Sequence, residues 1–195
     1  LHQWQYKNGL IDRTIIISSA RLEKKNDFGL VLKALPYIIQ KFPDILWIVI
    51  GGGEEEQLLK STSNRMSLAN HVMFLGPIYS EELLAPYMMS SSLFVHPSAI
   101  GLSLLHAFGY GLPVVVHGYK DYHGPEYAAF ENGKTGLNFE KDNSNDLANK
   151  IIELLESPEK MIEMGRYCQH LARSVYNVDI MVERFLKISR YAINN

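Results

Sequence analysis

The segment Pro97-Ser98-Ala99-Ile100-Gly101-Leu102-Ser103 has the composition of an anion cradle. Pro97 stiffens the exit from an apolar run, and Gly101 lets backbone approach a ligand closely. The N–H groups of Gly101, Leu102 and Ser103 fall at the start of a stretch with helical spacing. There they have no intrahelical acceptor and suit a phosphate. His106 lies one helical turn further on and reaches the same ligand at its ribose or phosphate, or else is a half-buried helix residue paired to a neighbour. A second cluster, Ser18-Ser19-Ala20-Arg21-Leu22-Glu23-Lys24-Lys25, follows another apolar run. Arg21 offers a planar fork and Lys25 a point charge, a combination that clamps a diphosphate. Exposed cations are also common without any ligand.

Other residues carry weaker signals. Gly51-Gly52-Gly53 lacks the GxGxxG spacing of a dinucleotide fingerprint and reads first as a strand-to-helix turn. Gly76-Pro77 either presents backbone to a flat base or is only a turn. His117, Asp121 and His123 invite a metal, but no convincing fourth ligand accompanies them, and no metal site is expected. There is no Ser-His-Asp order, no cysteine pair and no P-loop.

Composition narrows the classes further. The 195 residues carry a formal charge of −2, so no basic field exists to attract nucleic acid, and any anion is held locally. Hydrophobic residues make up 47% of the chain, enough for a sizeable core. The single cysteine, Cys168, excludes an intrachain disulfide framework and reads as a buried helix residue. No signal peptide is visible, and no apolar run reaches the roughly 18 residues of a spanning helix. Leu1–Gly9 is polar and aromatic without periodicity. The chain reads as a piece excised or processed from something longer, in a cytoplasmic setting.

Positioning the two clusters requires strands ahead of them. β-branched or apolar runs predict strands over Thr14–Ser18, Ile45–Ile50, Val72–Leu75, Ser92–His96, Val114–His117 and Gly136–Phe139. Helical spacing marks Phe28–Lys41, with Pro36 kinking it or lying in its first turn, and Glu54–Leu68. A helix runs to about Met89 behind Ser80 as N-cap, with Glu81 and Glu82 in its first turn. Leu102–Tyr110, Asn143–Leu155, Pro158–Val175 and Val178–Ala192 complete the set. The alternation predicts an α/β, Rossmann-like three-layer domain with about six parallel strands and helices on both faces. Ligands of such sheets bind beyond the carboxyl ends of the strands, where both clusters fall. The last helix is expected to pack on its own sheet.

These segments, in this order, resemble the C-terminal half of group 1 glycosyltransferases with the GT-B fold. The resemblance runs from about Ile15 to Ile193. It rests on Ile16–Leu22 with Lys25, Ile48–Glu54, Val72–Gly76, Leu93–Ser98 through Gly101-Leu102, Ala107, Gly111 and Pro113–Val115, then Gly124-Pro125-Glu126 and Asn132–Gly136. It implies one nucleotide-sugar-binding domain over 1–195, with an N-terminal acceptor domain outside this chain. The implied partner is a nucleoside-diphosphate sugar. The implied reaction is transfer of its sugar to a glycan or lipid-linked acceptor, with retention and no obligatory metal or other cofactor. Arg21 and Lys25 are the implied catalytic cations, and Ser98, Gly101, Leu102, Ser103, His106 and Gly76 the donor-binding residues. Polysaccharide biosynthesis at the inner face of a membrane, reached through the missing half, is a further expectation. Two departures stand out. The family carries two glutamates eight residues apart where this chain has Ser98 and His106, and the usual Glu-Gly-Phe run before Gly101 is missing. Half of a nucleotide-sugar 2-epimerase, or a degenerate interaction module without catalysis, are the alternatives.

Overall fold

A computed structural model describes residues 1–194. Its centre is one parallel sheet of six strands: β1 (Ile15–Ser19), β2 (Leu46–Ile50), β3 (Val72–Gly76), β4 (Leu93–His96), β5 (Val114–His117) and β6 (Gly136–Phe139). Their spatial order is β3-β2-β1-β4-β5-β6, so the winding reverses between β1 and β4. The strands are apolar on both faces because both are covered. Ile16, Trp47, Val49, Val95 and Val115 pack on one side, against α2 (Gly29–Lys41), α3 (Glu56–Arg65) and α6 (Ser144–Leu155). Ile15, Ile17, Ile48, Phe94 and Val116 pack on the other. That face carries α4 (Glu81–Ser90), α5 (Ser103–Gly109) and the Cys168–Leu171 side of α7 (Pro158–Ser174). Cys168 is buried there, and desolvation pushes its thiol up to about 12.

Several local details differ from the sequence expectation. Leu1–Gly9 contains a short helix, α1 (His2–Lys7), whose Trp4 sets its ring edge-on to Tyr87 of α4 at 4.7 Å. Pro36 lies in the interior of α2, not in its first turn. Ser80 occupies the N-cap of α4 without a side-chain cap bond, whereas the Asn143 side chain caps α6 by accepting from Asn145 and Asp146. β5 and β6 are joined by a connection with two 3-10 turns, Lys120–Tyr122 and Pro125–Ala129, in a stretch where the spacing marks no helix. The last helix, α8 (Val178–Asn194), does not bury its apolar stripe on the sheet: Phe185 is 70% exposed and Ile188 68%. The expectation of packing fails because α6 and α7 already cover the neighbouring sheet surfaces.

Candidate functional site at the sheet reversal

Where the winding reverses, helices leave β1 and β4 toward opposite faces, the place at which sheets of this kind bind ligands. The backbone ladder between these strands holds two registered pairs, Ile16 with Leu93 and Ile17 with Phe94. Beyond them a side chain continues it. The buried Ser18 hydroxyl donates to Val95 O at 2.7 Å and accepts from Trp47 Nε1 at 2.9 Å. Further out, the Ser98 hydroxyl donates to Lys25 O at 2.6 Å and ties the two exit loops across the crevice.

The wall on the β2 side depends on glycine. Gly51 and Gly53 have φ of 141° and 159°, and a Cβ on them would lie 1.9 Å from Ala20 O and 2.4 Å from Leu22 O. Leu22 N–H donates to Gly52 O and Glu55 N–H to Leu22 O, so the β1 and β2 exits zip together past the strand ends. These glycines therefore build the strand-to-helix turn. Beside them lies a cleft of about 400 Å³ lined by Ser19, Arg21, Gly52, Pro77 and Tyr79 among others. Gly76, with φ of 71°, turns the chain into it and accepts from Gly51 N–H at 2.9 Å. Tyr79 is 94% exposed, an aromatic face at the cleft that sequence reasoning missed, since nothing in its neighbours separates it from other surface tyrosines.

The structure brings Arg21 and Lys25 together through Glu23. Arg21 Nη1 stands 3.6 Å from one carboxylate oxygen and Lys25 Nζ 2.9 Å from the other, with both cations largely exposed. Hydrogen bonding to Lys25, followed by the field of both cations, holds the Glu23 carboxyl below its ordinary range. The neighbours of Lys25 point elsewhere. Lys24 lines a groove between α2 and α3, and the buried Asn26 donates to Arg21 O at 2.7 Å.

On the β4 side, the N–H groups of Gly101, Leu102 and Ser103 have no acceptor among the described residues. Leu102 is 73% exposed, while Ile100 behind it is buried in the core. His106 is in α5, but its Nε2 lies 3.1 Å from Glu81 of α4, and its ring meets Tyr110 edge-on. Tyr110 also donates to Glu81, whose carboxyl is held below its usual range by that bond and then by His106. The paired-neighbour alternative for His106 thus describes its contacts, and Glu81 is the partner that sequence reasoning missed. A contact between residues 25 apart leaves no local signal.

Beneath this loop three histidines meet. His96, buried at the end of β4, donates from Nδ1 to Ser98 O at 3.2 Å, and burial lowers its pKa to about 4. His117, at the end of β5, stacks on His123 at 4.2 Å, and burial likewise takes it to about 4. Both nitrogens of His123 are engaged, with Ile100 N–H and His117 O. Among the described residues no group of three His, Cys, Asp or Glu is arranged to hold a metal ion. The Glu126 carboxylate sits beside Gly101, another neighbour supplied by the β5–β6 connection.

A reversed parallel sheet with unpaired amides on one side of its crevice and two cations on the other is common to many nucleotide-binding proteins. The family is decided by the sequence profile of group 1 glycosyl transferases, which matches residues 3–171. The chain belongs to this family. It is similar to a GDP-mannose-dependent alpha-(1-6)-phosphatidylinositol monomannoside mannosyltransferase of Mycolicibacterium smegmatis, at 27% identity over 174 residues, or 84% of this chain and 44% of that protein. A GDP-mannose-dependent monoacylated alpha-(1-6)-phosphatidylinositol monomannoside mannosyltransferase of Corynebacterium glutamicum is 26% identical over 195 residues, 93% of this chain and 49% of its own length. The chain spans about half the length of these curated relatives. In fold it is similar to Anabaena HepE, solved with UDP, with a TM-score of 0.83 at 22% identity over 97% of this chain and 52% of that one. The comparisons give no support to the epimerase alternative. No helix among the described residues is long and apolar enough to cross a membrane.

Proposed function

We propose that the crevice between β1 and β4 binds the nucleoside diphosphate of a sugar donor, and that the complete protein transfers the sugar to a glycan or lipid-linked acceptor with retention. The observation that carries this reading is the set of unengaged Gly101, Leu102 and Ser103 amides, tied by Ser98 to the loop bearing Arg21 and Lys25. The amides take phosphate oxygens, and the two cations exchange Glu23 for the diphosphate. As the glycosidic bond breaks, negative charge grows on the leaving diphosphate. Donors already aimed there stabilise that change without reorganising. Pro77 and Tyr79 line the part of the cleft suited to the base, Gly76 turns the chain into it, and His106, held by Glu81, is assigned the ribose side. Ser98 acts chiefly through its bond to Lys25 O.

The acceptor site is assigned to a second domain outside residues 1–195, consistent with the share of the relatives' length that this chain spans. Membrane association, where it occurs, is assigned to that domain as well. The relative named above uses GDP-mannose and the structural neighbour was solved with UDP, so both bases belong in the test. Calorimetry with UDP, GDP and ADP is expected to show binding of at least one, weakened about tenfold or more in Arg21→Ala, as for a lost charge-assisted hydrogen bond. If none binds, or the variant binds as the parent does, the site assignment is wrong.

A further inference from the structure

The loop that carries the free amides is held by few bonds of its own. Pro97–Leu102 belongs to no strand or helix, and α5 begins only at Ser103. Its anchor is Ile100, whose side chain is buried with Leu104 and Phe108. The backbone of Ile100 is gripped on both sides by one short segment of the β5–β6 connection. Ile100 N–H donates to His123 Nδ1 at 3.2 Å, and Gly124 N–H donates to Ile100 O at 2.9 Å. A trans peptide fixes its C=O and the following N–H in one plane, pointing in opposite directions. Gripping Ile100 O therefore aims Gly101 N–H away from Gly124. Gripping Ile100 N–H fixes the peptide before it. Two consecutive peptide planes are thus set before any ligand arrives.

The imidazole is itself fixed. Its Nε2–H donates to His117 O at 3.0 Å, which leaves Nδ1 as the acceptor that Ile100 requires. The ring is sandwiched between His117 at 4.2 Å and Tyr127 at 3.9 Å, and Tyr127 stacks in turn on Phe130. Desolvation holds His123 below its ordinary pKa, favouring the neutral ring that this pair of bonds demands.

We infer that His123 is the positioning residue of the donor loop, fastening Ile100 so that the Gly101–Ser103 amides stay aimed at the phosphates. It does not touch the donor and acts through Ile100. The inference rests on the reading of this loop as the donor cradle.

Two variants of the complete protein separate positioning from packing. His123→Phe keeps a ring between His117 and Tyr127 but offers Ile100 no acceptor. His123→Asn places a carbonyl oxygen near the Nδ1 position but loses the stack. Affinity for the nucleoside diphosphate bound by the parent is measured beside thermal stability, with UDP and GDP as probes. The expected result is a reversal of order. His123→Phe is the more stable variant yet loses about tenfold in affinity, while the less stable His123→Asn stays within about twofold of the parent. If affinity instead follows stability, or neither variant changes it, the positioning role is overturned while donor binding stands. If the parent binds neither probe, the donor reading fails and takes this inference with it.

Discussion

At the scale of single residues, the site is a matter of which polar groups are left unengaged and which are already paired. The amides of Gly101, Leu102 and Ser103 are unengaged, and their availability was legible in sequence because a glycine ahead of a helical repeat leaves N–H groups without acceptors. His106 is paired, and its partner Glu81 was not legible, because the contact crosses between two helices. The same holds for His123, which the sequence offered only as a poor metal ligand and the structure places under Ile100. The buried histidines make a pH prediction. A histidine in the unfolded chain titrates near 6.5, whereas burial keeps His96 and His117 neutral down to about 4. Between those limits the unfolded chain takes up protons that the folded one refuses. Stability is therefore complete above about pH 6.5 and falls as pH drops toward 4. Thermal melts across that range should show the decline, with a shallower slope in His96→Leu between pH 6.5 and 4.5. A melting temperature that is flat over the window contradicts the assignment of neutral, buried rings.

At the scale of elements, the six strands and most of the helices followed from period and composition, with ends shifted by one to three residues. Val114–His117 and Gly136–Phe139 were read at their observed limits. The short elements escaped. α1 is too short to show a period, and the 3-10 turns, Lys24–Asn26 beside the two of the β5–β6 connection, carry no helical repeat. That second omission mattered most, since this connection supplies His123, Gly124 and Glu126 to the donor loop. Gly51-Gly52-Gly53 was legible as a turn, but not the reason for its glycines, which is the carbonyl of a neighbouring loop. Gly51→Ala sets a side chain 1.9 Å from Ala20 O at a φ of 141°. It should cost at least about 2 kcal/mol of stability, as backbone clashes of this kind do. Chemical denaturation measures it. A variant within about 0.5 kcal/mol of the parent would mean that the β1 and β2 exits separate easily, and the wall of the cleft would not be rigid.

At the scale of the whole molecule, the winding order dictates where a ligand sits before any residue is considered. A reversal between β1 and β4 opens one crevice at the carboxyl edge, and both clusters first noticed as sequence flank it. The proposed acceptor site belongs to another domain, which would form the second wall of that crevice. The isolated chain is therefore predicted to bind donor nucleotide weakly and to release no product when given donor and a lipid-linked or glycan acceptor. Turnover by residues 1–195 alone, followed by release of free nucleoside diphosphate, contradicts the assignment of the acceptor site to another domain. The exposed stripe of α8 was legible as apolar from its spacing. Its failure to pack was not, because spacing records which face is apolar and not what covers it.

The proposed binding mode holds diphosphate by backbone at the exit of β4, facing cations at the exit of β1. Amide resonances of the isotope-labelled chain, followed while a nucleoside diphosphate is added, test it directly. The largest shifts are predicted at Gly101, Leu102 and Ser103, with smaller ones at Arg21 and Lys25, and none at Leu58 or Thr62 in the groove between α2 and α3. Saturable binding that leaves the three amides unmoved, or that moves the groove instead, contradicts the account.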